Sequence, residues 1–292
     1  MLGAYGQLGT DLRHALSAHD VVPFGHGDFD VRDSATAARK LSETRPDVIV
    51  NATAFHKVEL CEEDPDAAFA VNATAPARLA RLARELGARF AHMSTDYVYG
   101  GDSTRPLTED VPPAPVQVYG ASKAAGERLV QLAYPEALIV RSSGLYGLAG
   151  ASGKGGNFIQ LVLRLAREKG EMRIVNDQVL SPTYTVDLAQ AIVRLLERTV
   201  SGIVHVTNSG SCSWHEFASY VVASAGTAAV VHPVSTAEFG APVRRPLYSV
   251  LENARWRALA LPAVRSWREA ARAYLETKGM TAPVVSSAGL SP

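Results

Sequence analysis

Short apolar runs alternate along this chain with longer stretches in which apolar positions recur every three or four residues. The runs are Asp47-Val48-Ile49-Val50, Phe90-Ala91-His92-Met93 and Ala137-Leu138-Ile139-Val140. Near-continuous apolarity over so few residues predicts strands covered on both faces, as in a parallel sheet. Residues 8–18, 66–86 and 119–132 carry the helical period instead. Strands and helices in alternation predict right-handed βαβ units, and so an α/β fold built on a doubly wound parallel sheet. Beyond Arg141 the pattern loosens. A Gly/Ser-rich stretch over 144–156 precedes a helix over 157–169 and a short strand at 173–175. An amphipathic helix over 186–198 aligns Leu188, Ile192, Leu195 and Leu196. A strand at 203–206, a helix from about Ser213 and a last helix over 266–275 follow. The stretch from Gly279, rich in Pro, Ser, Gly and Val, is expected to be a disordered tail.

Composition narrows the partners. The 292 residues are 47% hydrophobic and 20% charged, with 29 basic and 29 acidic side chains. That balance offers no cationic excess for nucleic acid or an anionic membrane, which favours a small-molecule partner. No apolar run approaches the length of a membrane span. Two cysteines, Cys61 and Cys212, cannot build a disulfide framework, and no basic-then-apolar leader is present. The expected setting is cytoplasmic.

Gly3-Ala4-Tyr5-Gly6-Gln7-Leu8-Gly9 has the G-x-x-G-x-x-G spacing and opens a predicted helix. Glycines so spaced let backbone approach a pyrophosphate at a helix N-terminus, so Gly3, Gly6, Gln7, Leu8 and Gly9 are candidate dinucleotide contacts. Such a loop should follow a central strand, yet only Met1 and Leu2 precede Gly3. The first strand is therefore expected to be missing from this sequence. An acidic residue about 20 positions on would favour NAD, but Pro23-Phe24-Gly25-His26 stands there. The cofactor is left as NADPH or NADH, with Asp30 and Val31 beside the adenine.

Val118-Tyr119-Gly120-Ala121-Ser122-Lys123 sets a tyrosine and a lysine on one face of a helix. Reducing a ketone needs a proton donor as hydride reaches carbon. Tyrosine's ordinary pKa is about 10, and the Lys123 ammonium is expected to lower it. Ser94-Thr95, ending a predicted strand, would supply a hydroxyl to orient the carbonyl. Spacing alone does not decide, because Tyr274 and Lys278 repeat it. That second pair follows no strand ending in Ser or Thr, and reads as helix packing and a C-terminal charge.

With these residues in place the chain resembles the extended short-chain dehydrogenase/reductase superfamily and, more narrowly, the dTDP-4-dehydrorhamnose reductase family. The signatures are Gly6-Gln7-Leu8-Gly9, Arg45-Pro46-Asp47 with Asn51-Ala52, Ser94-Thr95-Asp96-Tyr97-Val98, Val118-Tyr119-Gly120 with Lys123, and Ala125-Gly126-Glu127. Gly156-Asn157-Phe158, Asp177-Gln178 and Arg244-Arg245-Pro246 continue the match to nearly the full length. The resemblance implies a Rossmann-type fold and a catalytic set of Thr95, Tyr119 and Lys123. It implies NAD(P)H-dependent reduction of a nucleotide-activated 4-keto-6-deoxy sugar, and allows a homodimer. It adds Ala52, Ala54, Tyr119 and Lys123 to the cofactor contacts, and assigns His56, Ser94, Tyr97, Asn157, Gln178, Thr183 and Arg245 to the substrate, with no metal. Ser249 is a further candidate on the nucleotide side. Residues 1–143, with contributions from about 174–200, would bind the dinucleotide, 144–278 largely the substrate, and 279–292 would form the tail.

Three positions depart from the family pattern: Phe55-His56, Tyr99-Gly100-Gly101, and Gly144, where an aromatic wall is expected. All lie near the expected sugar pocket. Rival readings are a nucleotide-sugar epimerase or dehydratase of the same superfamily, and a non-catalytic subunit resembling the methionine adenosyltransferase β subunit. His215-Glu216 lacks a second histidine at metal spacing and reads as a helix start.

Overall fold

The computed structural model describes residues 1–149 and 156–281. The chain first forms α1 (Gln7–Ala15), α2 (Ser34–Thr44), β1 (Val48–Asn51), α3 (Val58–Glu63), α4 (Pro65–Phe69), α5 (Ala75–Glu85), β2 (Arg89–Thr95), α6 (Val118–Ala133) and β3 (Leu138–Ser142). Next come β4 (Leu145–Tyr146), α7 (Phe158–Lys169), β5 (Glu171–Val175), β6 (Val179–Leu180), β7 (Thr183–Tyr184), α8 (Thr185–Glu197) and β8 (Gly202–His205). The last elements are β9 (Cys212–Ser213), α9 (Trp214–Ser224), β10 (Val230–Val234), α10 (Thr236–Phe239), α11 (Ala254–Ala258) and α12 (Trp267–Thr277).

β1, β2, β3 and β8 lie side by side in that order, all parallel. The expected doubly wound α/β sheet is present, and its strands fall on the apolar runs. Alternate side chains leave a strand on opposite faces, and both faces are covered. Val50, Met93 and Val140 pack with Leu12, Leu188 and Ile192 from α1 and α8. Ile49, Phe90 and Ile139 pack with Leu41, Leu79 and Val130 from α2, α5 and α6. A third core, with Tyr146, Tyr184, Phe217, Trp267 and Tyr274, joins α7, α9 and α12 beyond the sheet.

The place of the expected first strand is held by a single residue. Leu2 donates to the Val50 carbonyl at 2.8 Å, accepts from Ala52 at 3.0 Å, and bridges Phe24 on its other side. The chain runs from Leu2 out to Phe24, then returns to β1 on the opposite side. Strand order therefore reverses at Leu2, and the crevice that such a reversal opens lies at the carboxyl ends of the strands, where Gly3 begins its loop.

Two helical expectations are modified. The helix expected over 66–86 is interrupted by a π turn, Ala70–Thr74. The extra residue turns Asn72 inward, where its amide bonds both backbone groups of Phe55 and the Ser122 hydroxyl. α2 escaped the periodic reading because it buries only Ala37 and Leu41. At the other end, Gly279 and Met280 still cap α12 through Glu276 and Leu275; the rest of the expected tail, from residue 282, lies outside the described residues.

Candidate active site

The glycine loop is shaped by close approach. Gly3 has φ 76°, and a side-chain carbon there would sit 2.9 Å from the Ala52 carbonyl carbon. A carbon on Gly9 would collide with the Gly3 carbonyl oxygen. Gly6 starts α1 without any side-chain cap, and the first turn holds no acidic residue. Bare amides at the positive end of a helix dipole suit a pyrophosphate. Gln7 donates to the Leu145 carbonyl at 3.1 Å, and its Oε1 is a buried acceptor without a partner among the described residues. Leu8 turns its side chain into the core, leaving only backbone for a ligand. These residues fit a dinucleotide.

Asp30, expected beside the adenine, is held by Arg32 at 2.6 Å, and that guanidinium keeps its carboxyl below the ordinary range. Val31 packs against the core. Arg32 was missed as a cationic neighbour of Asp30; its two-residue spacing was the available signal. Ala52 continues β1 by its bond to Leu2, and the Ala54 carbonyl meets His56 Nδ1 at 3.5 Å.

Thr95 and Tyr119 meet where β2 ends and α6 begins. Gln117 caps α6 through the Gly120 amide at 2.5 Å. Gly120 admits the close approach, since a side chain there would collide with the Tyr97 carbonyl. The Tyr119 ring stands edge-on to Tyr97 with centroids 5.9 Å apart. Burial holds the Tyr119 phenol above its ordinary pKa, while a hydrogen bond with Thr95 pulls it down. This reverses the expected sign: the surroundings of Tyr119 desolvate its phenolate form, and Lys123 Nζ faces the Met93 carbonyl and His92. The resting tyrosine is thus a protonated phenol, the form that can donate.

Behind Thr95 lies Asp96, 3% exposed. It accepts from Thr95 at 3.1 Å, from Ser143 at 2.8 Å and from Ser249 at 2.6 Å. Ser249, expected on the nucleotide side, instead serves this carboxylate. Burial lifts the Asp96 carboxyl to about 6, against the pull of the three hydroxyls. Its unfolded value is about 3.9, so between about pH 4 and 6 the folded state binds more protons than the unfolded state. Stability from this group is therefore present at low pH and falls as pH rises through that window. The loss is on the order of 3 kcal/mol for a shift of about two units. Asp96→Asn should flatten this slope in chemical denaturation between pH 4 and 6.5; an unchanged slope would refute the assignment.

Lys123 is 1% exposed. Its Nζ lies 2.6 Å from the Met93 carbonyl and 3.2 Å from His92 Nε2. Burial brings it down to about 8, opposed by Glu127 one turn further on. Glu127 in turn is gripped by Arg141, through Nε at 2.8 Å and Nη2 at 2.6 Å. Arg141 Nη1 donates to the Tyr99 hydroxyl at 2.5 Å. Ser94 also donates to Glu127, so its hydroxyl faces this buried pair.

The remaining expected substrate residues divide. Arg245 pairs with Glu59 and bonds Tyr97, whose phenol burial pushes up to about 12. His56 lies half-buried on the loop after β1. Asn157 instead caps α7, with its amide on the Gly147 carbonyl at 2.8 Å and Tyr274 at 3.0 Å. Gln178 donates to Thr236 at 2.9 Å and Thr183 to the Ser181 carbonyl at 3.0 Å. Those three side chains are engaged within the protein. The second Tyr/Lys pair is structural: Tyr274 is fully buried, and Lys278 donates to the Leu148 carbonyl at 2.9 Å.

Two of the three departures have structural causes. Gly144 has φ 54°, and a side-chain carbon there would sit 2.7 Å from Leu180 Cδ1, so Leu180 fills the place of the expected aromatic. Gly101 has φ 90° and presses within 2.6 Å, by the same measure, of the Leu247 amide. At Phe55 Asn72 holds only the backbone, so the choice of side chain there has no structural explanation. Sequence reasoning passed over Asn72, His92, Glu127 and Arg141 as site residues. Polar or charged side chains inside apolar strand runs, as at His92 and Arg141, were the signal available.

A doubly wound sheet with a glycine-loop crevice, and a Thr/Tyr/Lys group along the same edge, defines the extended short-chain dehydrogenase/reductase class. Comparisons narrow it. The family model described as RmlD substrate binding domain matches residues 1–280, and the chain belongs to that family. A spore coat polysaccharide biosynthesis protein, SpsK, of Bacillus subtilis is 38% identical over 94% of this chain and 96% of its own length. The dTDP-4-dehydrorhamnose reductase of Streptomyces griseus is 37% identical, over 92% and 90%. A crystal structure of dTDP-4-dehydrorhamnose reductase from Bacillus anthracis, in complex with NADP, superposes with a TM-score of 0.90 at 37% identity, covering 94% of this chain and 97% of that one. No helix among the described residues is long and apolar enough to cross a membrane.

Proposed function

We propose that this chain reduces the 4-keto group of a nucleotide-activated 6-deoxy sugar with NADPH or NADH, most like conversion of dTDP-4-dehydrorhamnose to dTDP-rhamnose. The observation that carries this reading is the placing of Tyr119 at the start of α6 and Thr95 at the end of β2, on the same sheet edge as the glycine loop. Gly3, Gly6, Gln7, Gly9, Ala52 and Ala54 would hold the dinucleotide, whose reduced nicotinamide supplies the hydride.

The chain's own residues manage the proton. As charge builds on the ketone oxygen, that oxygen becomes far more basic than a phenolate, so the Tyr119 proton transfers downhill. Thr95 orients the carbonyl and Lys123 supports the Tyr119 oxygen once it has lost its proton. Tyr97, His56 and Arg245 line the approach, where Arg245 offers a cation to the nucleotide phosphates. Ser94, Asn157, Gln178 and Thr183 serve the substrate indirectly, by fixing the walls. Residues 1–143 with about 174–200 serve the dinucleotide, and 144–278 mostly the sugar. A cytoplasmic setting accords with two buried cysteines that form no disulfide, and a homodimer is an assembly the resemblance allows.

Purified protein given NADPH or NADH and a dTDP-4-keto-6-deoxy sugar should consume the reduced cofactor and yield a 4-hydroxyl product. Protein that binds the cofactor yet leaves it unoxidised across a panel of 4-keto nucleotide sugars would contradict the reading.

A further inference from the structure

Lys123 is backed by a residue to which the reaction assigns no part. His92 lies on β2, three residues before Thr95, fully buried, with its ring stacked on Phe90 at 6.4 Å. Each ring nitrogen faces one side chain: Nδ1 meets Asn51 Nδ2 at 3.1 Å, and Nε2 meets Lys123 Nζ at 3.2 Å. The first bond has a readable direction. Asn51 Oδ1 accepts from the Thr53 amide at 3.1 Å and the Thr53 hydroxyl at 2.7 Å. The Asn51 NH2 group therefore faces the imidazole, and Nδ1 is the acceptor.

A neutral imidazole carries one N–H, which must then sit on Nε2 and point at Lys123. An ammonium has three donors and no acceptor, so a charged Lys123 would set N–H against N–H. A neutral amine has a lone pair for the His92 proton and still donates to the Met93 carbonyl. We propose that Asn51 and His92 are a positioning pair whose fixed tautomer holds Lys123 as a neutral amine in the cofactor-free protein. The proposal rests on reading Lys123 as the residue that serves Tyr119.

The surrounding charges agree. From β2, Lys123 is faced by His92, which burial keeps uncharged. From its own helix it is faced by Tyr119 and Glu127, and Glu127 alone favours the ammonium. The Glu127 oxygens are occupied by Arg141 from β3 and by Ser94, which weakens that pull. Asn51 brings no charge from β1.

Nitrogen-15 NMR of histidine-labelled, cofactor-free protein reads the tautomer directly, with His92 identified by its absence in His92→Gln. The expected result is a neutral ring protonated at Nε2 that does not titrate between pH 5 and 9. A ring protonated at Nδ1, or one that titrates, overturns the proposal. Side-chain NMR of the six lysines gives the second reading. The Lys123 midpoint should lie below 8 and rise by at least one pH unit in His92→Gln, whose amide can turn to accept; an unmoved midpoint overturns it. Neither measurement uses substrate. Failure of NADPH oxidation with the Nε2 tautomer intact would therefore count against the function alone, and a reductase with the Nδ1 tautomer against this pair alone.

Discussion

Tyr119→Phe should lower kcat by about a thousandfold, within the range of roughly 10²–10⁴ that general acid catalysis contributes. The substitution removes one oxygen and keeps the ring that stands against Tyr97. Cofactor affinity and thermal stability should stay close to those of the parent protein. The measurement is turnover at saturating sugar and cofactor, with cofactor binding followed separately by nicotinamide fluorescence. A loss below tenfold with intact binding would move the proton donor elsewhere. Asp96 is the nearest alternative, since it is raised to about 6 and bonded to Thr95.

Arg141→Met should be the most damaging change to stability. Arg141 and Glu127 have side chains 1% and 3% exposed, and removing one partner strands the other charge out of water. Breaking such a buried pair costs about 3–5 kcal/mol. In a chain of this size that lowers the unfolding temperature by roughly 10 °C. Replacing both, as Arg141→Met with Glu127→Leu, should recover much of the loss, because an apolar pair leaves no orphaned charge. If the single variant unfolds with the parent, or the double variant unfolds below the single, the pair is not what joins β2, β3 and α6 here. The scanning experiment is calorimetric, at neutral pH.

Much of this architecture was legible because parallel strands must be apolar on both faces. Val48 to Val50 and Leu138 to Val140 announce themselves as strands, and Thr95 and Tyr119 could be placed from the strand end and the helix start. What stayed hidden depended on partners far away in the chain. Nothing near Asn157 tells that its amide reaches Tyr274, or near Ser249 that its hydroxyl reaches Asp96. The helix over 66–86 concealed its π turn because one inserted residue barely disturbs an apolar period. The direction of the Tyr119 shift was misread for a related reason: spacing shows that Lys123 shares its face, but only the fold shows Lys123 Nζ turned toward β2. Leu2 holding a strand's place by itself could not be read locally, since one residue has no period.

The Gly144 corner has a bearing on which substitutions this part of the fold can accept. The left-handed backbone at Gly144 penalises other residues, and Leu180 occupies the space a side chain would need. Restoring an aromatic there requires Leu180 to shrink and the backbone to relax together. Either change alone passes through a strained or hollow intermediate. A substitution at that corner therefore meets the backbone and Leu180 at once, so the shape of this wall is set by two positions rather than one.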